Sequence, residues 1–124
     1  MTTAILVVDD DQDCIATLEL ALGTLPGAVI QPALSAEAAL KALENGTFSA
    51  VITDIQLPEM TGLELVERIR GNPRFLSLPV VVLSAAADPS TPARALGLGA
   101  NAYFAKPFSP SAMRKKLEEL IHAT

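Results

Sequence analysis

Short apolar runs alternate with helix-like segments five times along this chain. The run Ser49–Thr53 is apolar through its middle and lacks the apolar–polar alternation of a half-exposed strand. Continuous apolar runs of this kind are typical of strands that are buried on both faces of a parallel sheet. The five repeats therefore predict an α/β fold, in which right-handed crossovers join parallel strands and five helices cover both faces of the sheet.

The second predicted strand contains a proline, which limits where that strand can lie. Pro32 has no N–H to donate to a neighbouring strand, so we place the second strand at an edge of the sheet. An edge position favours the strand order 2-1-3-4-5, a flavodoxin-like arrangement with the first and third strands adjacent at the switch point. The predicted strands are Ala4–Val8, Ala28–Leu34, Ser49–Thr53, Pro79–Leu83 and Ala102–Ala105.

Polar caps, glycines and prolines delimit the predicted helices. A Ser, Thr or Asp at the N-cap accepts a hydrogen bond from a backbone N–H that the helix leaves free. Pro89 and Pro92 lie close to the start of the fourth helix, which we expect to begin late, at an N-cap near Thr91, and to be short. The helices are predicted from Asp11 to Leu25, from Ser35 to Gly46, from Gly62 to Gly71, from Thr91 through Leu98, and from Ser109 onward.

Composition excludes several classes of protein. A length of 124 residues, half of them apolar, predicts a single domain spanning residues 1–124 with a real core. A net charge of −5 argues against direct contact with nucleic acid. The longest apolar stretch is too short for a membrane span, the first residues do not resemble a signal peptide, and a single cysteine cannot form an internal disulfide. We therefore expect a cytoplasmic domain that does not contact the membrane.

Polar residues follow four of the predicted strands. Asp9 and Asp10 follow the first strand and Asp54 follows the third, so these carboxylates should converge in the crevice where open α/β sheets bind ligands. Ser84 and Lys106 follow the fourth and fifth strands and should flank them. Carboxylates at close range remain ionised together only beside a cation. Oxygen ligands in an open crevice suit Mg²⁺, whereas the single Cys and single His are too far apart for a zinc site.

The expected site is suited to phosphoryl transfer. An ionised Asp54 can attack phosphorus in line, while Mg²⁺ and the ammonium of Lys106 neutralise charge on the phosphoryl oxygens. The hydroxyl of Ser84 would then bond a phosphoryl oxygen. The chain has no G-x-x-x-x-G-K-[ST] nucleotide loop, so the phosphoryl group must come from another molecule.

Motifs that follow the predicted strands, among them Val8-Asp9-Asp10, Met60-Thr61-Gly62 and Lys106-Pro107-Phe108, recur together in a known family. On these motifs the chain resembles, over essentially its full length, the receiver domain of two-component response regulators. Each matching motif is weak alone, but all of them occur in the family's order and at its spacing. The motifs are Val8-Asp9-Asp10, Asp54, Pro58, Met60-Thr61-Gly62, Ser84-Ala85, Tyr103 and Lys106-Pro107-Phe108.

The resemblance implies roles for the acidic residues and for the loop that follows the third strand. Asp54 would be the phosphoacceptor. Asp10 and Asp54 would ligate Mg²⁺ directly, together with the backbone carbonyl of Gln56, and Asp9 would orient a metal-bound water. Ala86 stands at a position that commonly tunes dephosphorylation in the family, and its side chain cannot position a water.

The resemblance also implies a switch. Lys106 would pair with the phosphoryl group through a loop whose Lys106-Pro107 bond is cis. Ser84, at a position where Thr is commoner in the family, would sense the phosphoryl group, and Tyr103 would turn inward as Ser84 moves. Phosphorylation by a histidine kinase or a histidine phosphotransfer protein would bias a two-state domain. Its downstream protein partner would bind the fourth helix, fifth strand and fifth helix.

Other functions stay open beside this hypothesis. The favoured one is a signalling domain that catalyses only its own phosphorylation and dephosphorylation, as a stand-alone receiver or one cut from a longer regulator. A receiver-like scaffold that is never phosphorylated is an alternative, although the complete set of site residues argues against it. An aspartyl-phosphate phosphohydrolase usually has a second Asp two residues after the nucleophile, where this chain has Gln56. A flavin carrier would share the architecture but would need a Ser/Thr/Gly-rich phosphate loop after the first strand, and no such loop follows that strand here.

Overall fold

Five parallel strands form one sheet with the order β2-β1-β3-β4-β5, which confirms the predicted flavodoxin-like α/β arrangement. The computed structural model describes residues 2–85 and 88–122. Pro32 lies in an edge strand, as expected, opposite Val7 of β1. The strands are β1 (Thr3–Val8), β2 (Ala28–Ala33), β3 (Ala50–Asp54), β4 (Val80–Ser84) and β5 (Ala102–Ala105).

In the part of the chain that the structure describes, five α-helices alternate with the strands. Four of them begin at a capping side chain that accepts a backbone N–H, and Asp11 and Ser35 are the caps predicted for the first two. Within the described ranges, no helix combines the length and the apolar character that crossing a bilayer requires. The helices are α1 (Gln12–Leu22), α2 (Ala36–Asn45), α3 (Gly62–Arg70), α4 (Thr91–Gly97) and α5 (Pro110–Ile121), with a short 3-10 helix at Pro73–Phe75.

The sheet separates two apolar clusters, because successive side chains of a strand point to opposite faces. Leu6 and Val8 of β1 pack on the side of α2, α3 and α4, whereas Ile5 and Val7 pack on the side of α1 and α5. Every residue of β3 and β4 is buried, which explains why these central strands are continuous apolar runs in the sequence.

Two helix ends differ from the prediction. We predicted the first helix through Leu25, but α1 ends at Leu22 and Gly23 occupies its C-cap. Leu25 is nevertheless 5% exposed, because the following turn returns its side chain to the core. The turn thus buries a side chain that helical spacing had assigned to the helix.

The fourth helix is short and starts late, as the two prolines predicted, but its cap was predicted wrongly. Ser90 occupies the N-cap without a side-chain cap bond, and Thr91 is a buried residue of the first turn. Leu98 lies just beyond the helix and packs against the core cluster. Ala86, which the resemblance connects with dephosphorylation, lies outside the described residues.

A close backbone approach shapes the loop after β3. The N–H of Gly62 donates to the carbonyl of Ile55 at 2.8 Å, so the start of α3 folds back onto the end of β3. A Cβ at position 62 would overlap the carbonyl oxygen of Asp54 and crowd the Cα of Ile55. Glycine is therefore required here by space, and any larger residue must displace the backbone of Asp54.

We expect Gly62→Ala to lower the free energy of unfolding by about 1 to 3 kcal/mol, because the added methyl group overpacks the loop against rigid backbone. Gly97→Ala is the matched control, since a Cβ there meets nothing within 4 Å. Alanine also has the higher helix propensity, so the control should lose no stability. Urea denaturation measures both changes, and equal stability of the two variants would contradict the close-approach argument.

Candidate functional site

Strand register brings the acidic residues together. Val8 of β1 pairs with Thr53 of β3, so Asp9, just beyond β1, and Asp54, the last residue of β3, lie side by side. Carboxylate oxygens of Asp9, Asp10 and Asp54 all lie within 4.8 Å of one another. Asp9 and Asp54 are buried and Asp10 is exposed, so the cluster opens to solvent on one side.

Lys106 completes the cluster from the end of β5. Its Nζ donates at 2.9 Å to Oδ2 of Asp9 and at 2.9 Å to Oδ2 of Asp54. The backbone N–H of Lys106 donates to the carbonyl of Ser84 at 2.9 Å, which fixes the lysine beside the end of β4. The Lys106-Pro107 peptide bond is cis, as the family resemblance implied.

The remaining oxygens of the two buried carboxylates accept backbone N–H groups. Oδ1 of Asp9 accepts the N–H of Asp11 at 2.9 Å, and Oδ1 of Asp54 accepts the N–H of Gln56 at 3.1 Å. Each carboxylate is therefore held between a backbone donor and the ammonium of Lys106. This pairing fixes the orientation of both groups before any ligand binds.

The charges of the site do not balance without a further cation. Burial lowers the pKa of the Lys106 ammonium, but its hydrogen bonds and charge interactions with Asp54 and Asp9 outweigh that effect and the pKa is raised. One ammonium thus faces three carboxylates. A divalent cation fits the surplus of negative charge, and an open set of carboxylate oxygens is the chemistry that Mg²⁺ prefers.

Cys14 of α1 contacts the same cluster. Burial raises the pKa of its thiol to about 12, and a hydrogen bond to Asp9 contributes to the increase. The thiol is therefore protonated at neutral pH and donates toward the carboxylate. Cys14 is buried in the apolar cluster on the α1 side of the sheet, and its spacing in the sequence gives no signal of its contact with Asp9.

The predicted switch residues lie along β4 and β5. Ser84 is fully buried at the end of β4, opposite Ala105. Tyr103 is half-buried in β5 and packs against the apolar cluster on the α2–α4 side of the sheet.

Two residues that follow β3 also contact Asp54. The N–H of Gln56, whose carbonyl was the predicted metal ligand, donates to Oδ1 of Asp54. Gly62 packs directly on the backbone of Asp54, a contact that the Met60-Thr61-Gly62 motif alone does not predict.

Comparison with known proteins agrees with this geometry. The family model of the response regulator receiver domain matches residues 5–118. The chain belongs to the response regulator receiver family. It is therefore a receiver domain of the CheY-like kind found in two-component signalling, and this family consists of signalling domains rather than classical enzymes.

Relatives of this receiver cover almost all of its length. CheY1, a chemotaxis protein of Helicobacter pylori, is 32% identical over 121 residues, which are 94% of this chain and 95% of CheY1. The transcriptional regulatory protein KdpE of Mycobacterium tuberculosis is 34% identical, over 96% of this chain and 51% of KdpE. The crystal structure of a CheY-like receiver domain protein from Methanospirillum hungatei has a TM-score of 0.89 at 28% identity, with 99% of this chain and 96% of that chain covered.

The raised pKa of Lys106 determines the direction in which the free energy of unfolding should change with pH. A pKa raised above its ordinary value of 10.5 contributes stability that is fully present below pH 10.5 and is lost as pH rises through the raised pKa. Lys106→Met should lower the free energy of unfolding by about 1 to 3 kcal/mol, because it leaves Asp9 and Asp54 without their charged donor.

The difference between wild type and Lys106→Met should stay constant from neutral pH to about pH 10 and shrink only above it. Urea denaturation across this pH range measures it, with Lys115→Met on the exposed face of α5 as the control. A difference that already fades at mildly alkaline pH would show that the carboxylates do not hold the ammonium.

Proposed function

We propose that this receiver accepts a phosphoryl group on Asp54 from a histidine kinase or a histidine phosphotransfer protein, in a reaction that requires Mg²⁺. The observation that carries the proposal is the bridge from the Nζ of Lys106 to both Asp9 and Asp54, at 2.9 Å each, beside the exposed carboxylate of Asp10. The bridge places the ammonium of Lys106 where it can pair with the oxygens of an incoming phosphoryl group. It also holds the nucleophile, Asp54, in one orientation.

The transfer exchanges one bond to phosphorus for another. A carboxylate oxygen of Asp54 forms the new bond, the bond from phosphorus to the donor's imidazole nitrogen breaks, and the imidazole leaves. Lys106 is placed to stay paired with negative charge throughout the transfer. It contacts the Asp54 carboxylate beforehand and would pair with the phosphoryl oxygens afterwards. Asp10 and Asp54, with the Gln56 carbonyl, would hold Mg²⁺, and Asp9 would orient a water bound to it. When bound, the metal supplies positive charge that shields the phosphoryl oxygens.

The switch would run along β4 and β5. Ser84 ends the strand beside Lys106, and Tyr103 lies three residues before Lys106 on β5. We assign Ser84 to sense the phosphoryl group and Tyr103 to change its packing in response. The half-buried position of Tyr103, packed against the apolar cluster on the α2–α4 side of the sheet, supports this assignment.

The partner surface would be formed by α4, β5 and α5. The relatives differ in what they control, since CheY1 is a chemotaxis protein and KdpE a transcriptional regulatory protein. A shared receiver with different outputs is expected when the phosphorylated domain acts by binding another protein. We propose that residues 1–124 form one receiver domain that works in this way in the cytoplasm.

Intact-mass spectrometry tests the proposal. We expect incubation with acetyl phosphate and Mg²⁺ to add one phosphoryl group to the wild-type chain, and we expect no addition when Mg²⁺ is chelated. Asp54→Asn should take up none, because the amide is not nucleophilic and has no charge to attract the metal. Asp13→Asn, on the exposed side of α1, is the matched control and should be phosphorylated like the wild type.

A phosphoryl group that persists in Asp54→Asn would place the acceptor elsewhere. Because some receivers accept phosphoryl groups only from their kinase, beryllofluoride provides a second readout. The chain has a single tyrosine and no tryptophan, so tyrosine fluorescence reports Tyr103 alone. No mass gain together with no fluorescence response to beryllofluoride and Mg²⁺ would favour the unphosphorylated scaffold.

A further inference from the structure

Arg70, the last residue of α3, connects this helix to two other segments of the chain, the 3-10 helix and the connection from α4 to β5. Its Nε donates to the carbonyl of Gly99 at 2.9 Å, Nη1 to the carbonyl of Phe75 at 2.7 Å, and Nη2 to Oδ1 of Asn101 at 2.9 Å. None of these acceptors is charged, and within residues 2–85 and 88–122 the guanidinium forms no salt bridge. Bonds from a charged donor are stronger than neutral ones, and three of them in different directions fix the group in place.

Gly99 is shaped to receive this side chain. Its φ of 114° lies in the region that favours glycine, and a Cβ there would lie 2.7 Å from Cγ of Arg70. The segment after α4 therefore packs directly on the arginine stem while its carbonyl accepts the Nε–H. The backbone conformation of Gly99 and the position of the Arg70 side chain therefore depend on each other.

Asn101 connects the arginine to the sheet. The N–H of Asn101 donates to the carbonyl of Val80 at 2.7 Å, and Oδ1 of Asn101 accepts the N–H of Val80 at 2.8 Å. The same Oδ1 accepts Nη2 of Arg70, which holds the amide in the orientation that reaches Val80. This pair of bonds fixes the start of β5 against the first residue of β4.

The strand that begins there ends at the functional site. β5 is an edge strand of four residues, and Lys106 follows it directly. At a rise of about 3.3 Å per residue, Asn101 and Lys106 are about 16 Å apart along an extended segment that cannot stretch. A shift of the strand at Asn101 therefore displaces the lysine relative to Asp9 and Asp54.

We propose that Arg70 is a positioning residue for the phosphoacceptor site: through Asn101 it fixes β5 along β4 and thereby places Lys106 between Asp9 and Asp54. The inference rests on the proposed function, in which Lys106 pairs with the transferred phosphoryl group. The hydrogen bonds of Arg70 go to Gly99, Phe75 and Asn101 and not to the reacting carboxylate, so its effect on the reaction is transmitted through the strand.

Arg70→Met tests the proposal, because it removes the guanidinium and keeps an unbranched apolar stem of similar shape. We expect phosphoryl uptake from acetyl phosphate at saturating Mg²⁺ to slow by about tenfold or more, as small displacements of catalytic groups do. Mg²⁺ binding, measured by calorimetry, should be retained, because Asp9, Asp10 and Asp54 follow β1 and β3. This split between uptake and metal binding distinguishes positioning from general damage to the fold.

Two further variants are informative. Asn101→Ala breaks the same connection from the other side, so it should slow uptake, and the double variant with Arg70→Met should be no slower than the slower single variant. Arg68→Met, at an exposed position on the same helix, is the matched control and should leave uptake unchanged. Wild-type uptake in folded Arg70→Met, or a parallel loss of Mg²⁺ binding, would overturn the proposal.

A readout independent of phosphorylation keeps this inference separate from the proposed function. Positions so far apart normally contribute additively to stability, so Arg70→Met and Lys106→Met should be additive in urea denaturation unless the strand couples them. The proposal predicts a non-additive pair, and additivity would overturn it. If the wild-type chain neither takes up a phosphoryl group nor responds to beryllofluoride with Mg²⁺, the proposed function fails. The double-mutant cycle of Arg70→Met and Lys106→Met still decides whether Arg70 positions Lys106.

Discussion

Electrostatic repulsion among Asp9, Asp10 and Asp54 is the constraint on which the rest of this site depends. Their oxygens lie within 4.8 Å of one another, where each pair of charges costs about 3 to 4 kcal/mol at an effective dielectric of about 20. The Lys106 ammonium offsets part of this repulsion by contacting two of the three carboxylates. The site therefore carries an excess of negative charge. A divalent cation would neutralise this charge and would also pair with the oxygens of a phosphoryl group.

The fold supplies the positions that this arrangement requires. Adjacent parallel strands deliver Asp9 and Asp54 side by side, and Gly62 lets α3 begin directly against the Asp54 carbonyl. Lys106 comes from the far edge of the sheet and needs β5 held in register, which Asn101 accomplishes at the opposite end of the strand. The stability of the scaffold and the geometry of the site are thus joined through one short strand.

Much of this architecture could be predicted from the sequence, because burial on both faces makes the central strands continuously apolar and Pro32 identifies an edge. The site residues followed from the strand ends. Long-range polar contacts could not be predicted: Arg70 looks like a solvated helix-end charge, and its acceptors on Gly99 and Asn101 lie 29 and 31 residues away. Helical spacing also predicted the wrong end for the first helix, because the turn after Leu22 buries Leu25 without a helix.

Locating the phosphoryl group within the chain would identify the acceptor residue. After incubation with Mg²⁺ and acetyl phosphate, borohydride reduces an aspartyl phosphate to homoserine, which peptide sequencing by mass spectrometry can assign to one position. We predict homoserine at the position of Asp54 alone, because its carboxylate is buried at the end of β3 and is held by Lys106 and the Gln56 N–H. Homoserine in place of Asp9 or Asp10, with Asp54 unreduced, would contradict it.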